Sequence, residues 1–269
     1  MLRKLLKYEI KATARLFLPL YLTIIIFAVI NHFFLANPNA IEKSLSIYNL
    51  AMSISMIVFV FLMIGLVVMT LFVLIQRFYK NLLCDEGYLM FTLPVESWNH
   101  IFCKLITSML WVMASSIVAF GSILLISSNQ INIGEILSRF TMFFSQVNNE
   151  VGAFSYLFTL EGIILILIII ASLILTIFSA IALGQLFNKH KLLASFGMYI
   201  LLHTVSQIIL VLSSYIFFKS PIFRPESPFM PSTTLINEIM LITIFYFGAF
   251  AAAYFYLTNY LLKRKLNLE

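Results

Sequence analysis

Charge is scarce in this chain. Asp, Glu, Lys and Arg make up only 10% of its 269 residues, against about 25% in a soluble domain. Hydrophobic residues account for 62%. That balance leaves no room for a soluble catalytic domain and predicts an all-α polytopic membrane protein. Cysteine is scarce as well. Cys84 and Cys103 are the only two and fall in one loop region, which is neither a disulfide framework nor a zinc spacing. The nine glycines are scattered, and none forms a Gly-Lys-Ser/Thr phosphate loop, so the chain has no nucleotide cradle of its own. A His-Glu-x-x-His pattern is also missing. Membrane enzymes and proton-coupled transporters work through ionisable groups at depth, and the apolar runs hold almost none. The expectation is a non-catalytic chain with no cofactor, no metal and no nucleic-acid partner. If it takes part in uphill transport, the energy comes from another subunit.

What the sequence does have is long apolar runs. A span needs about 20 apolar residues. Six runs qualify, at roughly 16–35, 46–76, 101–127, 155–187, 192–218 and 234–262. The start is basic and then apolar. The apolar part is long and no small-residue cleavage site follows it, so it reads as a retained first span and not a removed signal peptide. The second run exceeds the hydrocarbon thickness at about 1.5 Å per residue; it tilts or projects beyond the membrane. Asn37-Pro38-Asn39 is a turn. Residues 220–232 carry four of the seven prolines, Pro221, Pro225, Pro228 and Pro231, and form a stiff non-helical loop.

Two further segments are amphipathic. In residues 1–15, Arg3, Lys7, Lys11 and Arg15 recur every four residues, opposite Leu2, Leu5, Leu6 and Ile10. That pattern suits an interfacial helix against anionic membrane lipid; a plain topogenic charge cluster is the other reading. In residues 132–148, Ile133, Ile136, Leu137, Phe140, Phe143, Phe144 and Val147 fall at spacings of three and four. This helix is too polar to span and belongs on the outer surface. Thirteen of the 17 Lys and Arg fall on one side of the six-span plan; only Lys43, Arg139, Lys219 and Arg224 fall on the other. The positive-inside rule then makes both termini cytoplasmic.

The most polar segment between spans is the cytoplasmic loop at 77–100. Asp85 and Glu86 form an acidic edge, and Leu82, Leu83, Tyr88, Leu89 and Phe91 an apolar ridge. Gly87 permits backbone shapes other residues resist, and Pro94 biases Leu93 away from helix. Within the spans, Tyr199, His203, Ser206 and Gln207 are the most polar patch. They read either as an interhelical seam or as residues lining a translocation path. Glu161 and Glu238, near the outer boundary, read either as complements to helix N-termini or as an outer gate.

The plan of a basic lead-in helix, six spans, both ends inside and a motif-bearing loop between spans two and three resembles the permease subunit of a type-2 ABC exporter. The motif residues are Asp85-Glu86-Gly87, Leu93-Pro94-Val95 and Lys104 at the start of the third span. Firmicute peptide-exporter permeases are the most similar, with Cys84 standing where their run has glycine. Two departures are a short stretch between Gly87 and Pro94 and a proline-rich loop before the last span. The resemblance implies a single transmembrane permease domain over 1–269 in the plasma membrane. It implies pairing with an identical copy or a paralogue, and two copies of a separate ABC ATPase that holds ATP and Mg. It implies a coupling helix made by Leu82, Asp85, Glu86, Gly87, Tyr88, Leu89, Phe91 and Pro94, docked on that ATPase. The implied activity is export of amphipathic peptides or similar hydrophobic cargo by alternating access. Two other classes stay open: an immunity or sensor protein that binds a toxic peptide without pumping it, and an intramembrane enzyme.

Overall fold

The first helix does not stop where the basic amphipathic segment ends. In the computed structural model, α1 (Leu2–Ala36) runs unbroken through Pro19, so the expected lead-in helix and first span are one element. Proline removes an intrahelical hydrogen bond and crowds the preceding turn. Packing on both sides of it keeps the helix continuous. Before Pro19, the Trp111 indole Nε1 donates to the Thr13 hydroxyl at 2.7 Å. After it, the Tyr21 phenol and the Ser115 hydroxyl are hydrogen-bonded at 2.8 Å. Both partners lie on α3 (Ser97–Ser127), so one neighbouring helix clamps α1 above and below the proline. Pro19 itself is exposed. Arg3, Lys7, Lys11 and Arg15 are all exposed too, as the four-residue spacing predicts.

The remaining helices are α2 (Ile47–Leu83), α4 (Ser155–Gly184), α5 (Lys191–Lys219) and α6 (Thr233–Arg264). The structure describes residues 2–36, 47–83, 96–128, 134–135, 138–142, 144–145, 152, 155–187, 189–219 and 233–264. Among them there is no strand, and six helices are long and apolar enough to cross a membrane. That is the architecture of a multi-pass membrane protein, and the six apolar runs coincide with it. Closed hydrogen-bonding within each helix is what allows such segments to sit in hydrocarbon. At 37 residues, α2 is roughly 55 Å long, well beyond the membrane core. Of the expected amphipathic segment at 132–148, residues 134–135, 138–142 and 144–145 are helical. Phe140 and Phe144 pair at 5.0 Å there, both exposed. The rest of that segment, like the loops at 37–46 and 220–232, lies outside the described residues.

The chain divides into two compact units. The first comprises Met1–Leu74 and Leu110–Gln146. Its core is Phe17, Tyr21, Ile24 and Ala28 of α1 with Phe59, Leu66 and Val73 of α2, and Trp111 and Ala114 of α3 pack against it. The α1 set recurs at spacings of three and four, one helix face. Trp111 stacks on Phe17 at 4.5 Å. Several polar groups in this unit are tied within it. The Thr70 hydroxyl shares a 3.1 Å hydrogen bond with Ser115 and donates to its own Leu66 carbonyl at 2.7 Å. Buried Asn31 donates to the Phe27 carbonyl at 2.9 Å.

The second unit comprises Ile75–Met109 and Val147–Glu269. It is built around α4, which packs against both α5 and α6. The C-terminal half of α4 is buried on nearly every side: Ile174, Leu175, Thr176, Phe178, Ser179, Ala180, Ile181, Ala182 and Gly184. Small residues dominate that stretch, because helices in a membrane associate by close packing and not by escaping water. Gly184 is the tightest point. A Cβ there would lie 2.0 Å from Ser195 Oγ and 2.6 Å from its Cα. The last turn of α4 tightens, with Leu186 N–H donating to Leu183 O at 3.1 Å. His190 then takes a left-handed φ of 56°, and its carbonyl accepts from Ala194 N–H at 3.0 Å as α5 begins.

Candidate functional site

The expected ATPase-coupling residues Asp85, Glu86, Gly87, Tyr88, Leu89, Phe91 and Pro94 lie outside the described residues, and Leu82 is described only as part of the α2 helix. The two ends that flank the loop are described, and both belong to the second unit. On the α2 side, Phe78 is fully buried and stacks on Phe178 of α4 at 4.1 Å. On the α3 side, the Ser97 hydroxyl donates to Asn259 Oδ1 of α6 at 2.9 Å. Glu96 accepts from the Trp98 indole and its carbonyl accepts from Asn99 N–H at 3.0 Å, which starts α3. His100, Ile101 and Lys104 are buried on the face that begins with Ser97. A lysine only 6% exposed is costly unless its charge is matched. Lys104 therefore sits inside the unit, not at its water-facing rim.

The expected path residues share one face of α5. Tyr199, His203, Ser206 and Gln207 follow at spacings of four, three and one, and the face continues through Leu210, Ser213 and Ser214. The Tyr199 and His203 rings stack at 5.9 Å. The Ser206 hydroxyl donates to its own helix at His203 O, 2.8 Å away. Gln207 is exposed. The structure adds an α6 partner to this face. The Tyr246 hydroxyl donates to the Ser206 carbonyl, and the Tyr254 hydroxyl to the Leu202 carbonyl at 3.3 Å. Phe250 bridges the two tyrosines, 4.7 Å from Tyr246 and 5.8 Å from Tyr254. Tyr246, Phe250 and Tyr254 recur every four residues, a sequence signal that an α6 stripe opposes α5.

A cleft of about 730 Å³ lies beside this contact, lined by Leu210, Ser213 and Ser214 of α5 and by Ile239, Ile242, Tyr246 and Phe250 of α6, among others. Its walls are almost wholly apolar, because their hydroxyls turn inward. Ser213 donates to Leu210 O at 2.9 Å, Ser214 to Val211 O at 2.9 Å and Thr243 to Ile239 O at 2.7 Å. The size is that of a small-ligand site.

The two expected outer-gate acids have different surroundings. Glu161 is buried, at 5% exposure, whereas Glu238 is exposed. Neither stands in the first turn of its helix, so the reading of both as helix N-terminal complements is corrected: the dipole effect is confined to that turn. Among the described residues no cluster of His, Cys, Asp or Glu could hold a metal ion. Cys103 is buried in α3. The chain matches no family model, no curated protein and no solved structure.

Proposed function

We propose that the chain is the transmembrane subunit of an ATP-driven ABC exporter in the plasma membrane, with both termini cytoplasmic. It works with a second permease, identical or paralogous, and two copies of a separate ATPase that binds ATP and Mg. Its cargo is amphipathic peptides or similarly hydrophobic molecules. The observation that carries this reading is the motif-bearing segment, the expected coupling loop at 77–100, set between long apolar runs. The loop has an acidic pair, an apolar ridge and a proline, and the chain has no phosphate loop of its own.

The physical argument runs from the loop inward. Asp85 and Glu86 complement a basic groove on the ATPase, while Tyr88, Leu89 and Phe91 anchor in apolar pockets. A push on the loop reaches both of its ends. Those ends are fixed to α4 by the Phe78–Phe178 stack and to α6 by the Ser97–Asn259 hydrogen bond. The second unit therefore takes up the displacement through packed side chains, which transmit strain because they are close-packed. ATP binding supplies the differential affinity that shifts the conformational equilibrium.

The test is the D85K/E86K double variant. The reading expects it to insert normally, to lose the copurifying ATPase and to lose peptide export. Export at the parent rate would contradict the docking role.

A further inference from the structure

One exposed stripe runs the length of α1. It begins with Lys4, Lys7, Lys11 and Arg15, which follow at spacings of three and four on one side of the helix. Among the described residues none of these four cations makes an ion pair or a side-chain hydrogen bond. The same spacing carries the stripe on through Leu18, Leu22, Ile25, Val29 and Phe33, all apolar and all exposed. The single acid of α1, Glu9, is 9% exposed and lies on the packed side with Thr13 and Phe17. The stripe therefore changes from cationic to apolar within one turn, between Arg15 and Leu18.

Two observations put that change at a membrane boundary. Residues 16–36 rise about 30 Å, the thickness of the hydrocarbon core. Trp111, whose indole donates to Thr13 at 2.7 Å, stands at the level of the change, and tryptophan concentrates where hydrocarbon meets headgroups. Because α1 is unbroken and is held by α3 on both sides of Pro19, its cations follow the line of the span and do not share one depth. Arg15 is at the edge of the hydrocarbon. Lys11 is about 6 Å further out, inside a headgroup layer roughly 5–7 Å deep. Lys7 and Lys4 are about 12 Å and 17 Å out, beyond that layer.

We propose that this stripe binds an anionic phospholipid standing beside α1, with its phosphate held by Lys11 and Arg15 and an acyl chain laid along Leu18, Leu22 and Ile25. The order of groups selects the occupant. Cations at headgroup depth, followed directly by apolar residues toward the bilayer centre, repeat the order of groups in a phospholipid. An acidic protein surface would match the cations and leave the apolar half uncovered. A zwitterionic lipid would set its own cation against Lys11 and Arg15. Arginine forks onto a phosphate, and lysine adds a point charge. The site differs from a helix lying in the headgroup layer, where all four cations would act alike. It goes beyond the export reading and needs neither an ATPase nor cargo.

The experiment titrates the detergent-purified full chain with phosphatidylglycerol and with phosphatidylcholine at about 0.15 M salt, where charges act over about 8 Å, and reads bound lipid by mass spectrometry. Phosphatidylglycerol should bind more tightly. K11Q/R15Q should weaken it about fivefold to twenty-fivefold, about fivefold for each cation lost, and leave phosphatidylcholine unchanged. K4Q/K7Q, too far out to reach the phosphate, should cost twofold or less. Glutamine keeps much of each stem, and all variants should elute as the parent does on size exclusion. In native membranes, Leu18→p-benzoylphenylalanine should crosslink to phospholipid. Equal binding of the two lipids would overturn the proposal, as would an equal loss in K4Q/K7Q. Displacement of the lipid by glycerol phosphate would assign the cations to a soluble anion instead, and a protein adduct at position 18 would show that another chain covers the stripe; either result overturns the lipid site.

Discussion

The Tyr21 phenol and the Ser115 hydroxyl, 94 residues apart in sequence, are joined by a buried 2.8 Å hydrogen bond. Ser115 also shares a bond with Thr70, so one hydroxyl ties α1, α2 and α3 together. The Trp111–Thr13 bond lies one turn away on the same α3 face. With no water in the hydrocarbon to replace them, these bonds specify how the three helices pack. Measured interhelical hydrogen bonds in membranes are nevertheless modest, about 0.6 kcal/mol on average and up to about 1.7 kcal/mol. Y21F keeps the ring packing and should cost an amount in that range in detergent-mediated unfolding. The Y21F/S115A pair should be less than additive, since both remove one bond. Strict additivity would show that the bond contributes nothing.

Gly184 should tolerate no side chain. A Cβ at 2.6 Å from the Ser195 Cα meets backbone, not a flexible tip. G184A should destabilise by about 1–3 kcal/mol, the cost of overpacking. S195A, which removes the hydroxyl contact alone, should not rescue it, because the backbone contact remains. Full rescue by S195A would place the constraint in the hydroxyl and contradict the account.

Phe178 should matter more than its position in an apolar run suggests. It is 1% exposed and stacks on Phe78 at 4.1 Å. F178A should lower stability by about 3 kcal/mol or more. Because the stack joins the end of α2 to α4, the same variant should reduce peptide-export activity at a temperature where the protein is still folded. Unaltered export in folded F178A would remove this stack from the coupling route.

The six spans were legible in composition alone, because about 20 apolar residues in a row have few other uses. The stripe on α5 was legible too, since Tyr199, His203, Ser206 and Gln207 repeat with the helix. Three things were not. The continuity of α1 through Pro19 depends on Trp111 and Ser115, which are about 90 residues away. The Tyr21–Ser115–Thr70 contact unites hydroxyls from three helices, and no local spacing announces it. The cleft is lined by residues of both α5 and α6, a property of packing and not of either helix. Glu161 and Glu238 looked alike in sequence, each a few residues into a span. Burial separates them, and burial is set by the neighbours.

Topology can be read directly. The proposed topology has the termini and the segment containing Cys84 on the cytoplasmic side. A membrane-impermeant maleimide should label S227C in intact cells and leave Cys84 unreacted until the membrane is inverted. Labelling of Cys84 from outside would reverse the assignment, and the loop could then not meet a cytoplasmic ATPase.

The central claim is that ATP hydrolysed by a partner moves cargo through this chain. Inside-out vesicles from cells expressing the chain with its associated ATPase should accumulate an amphipathic peptide when ATP and Mg are supplied. Vanadate, or D85K/E86K, should abolish that accumulation. Peptide movement at the same rate without ATP, or none at all while an immunity phenotype persists with the ATPase inactivated, would contradict it.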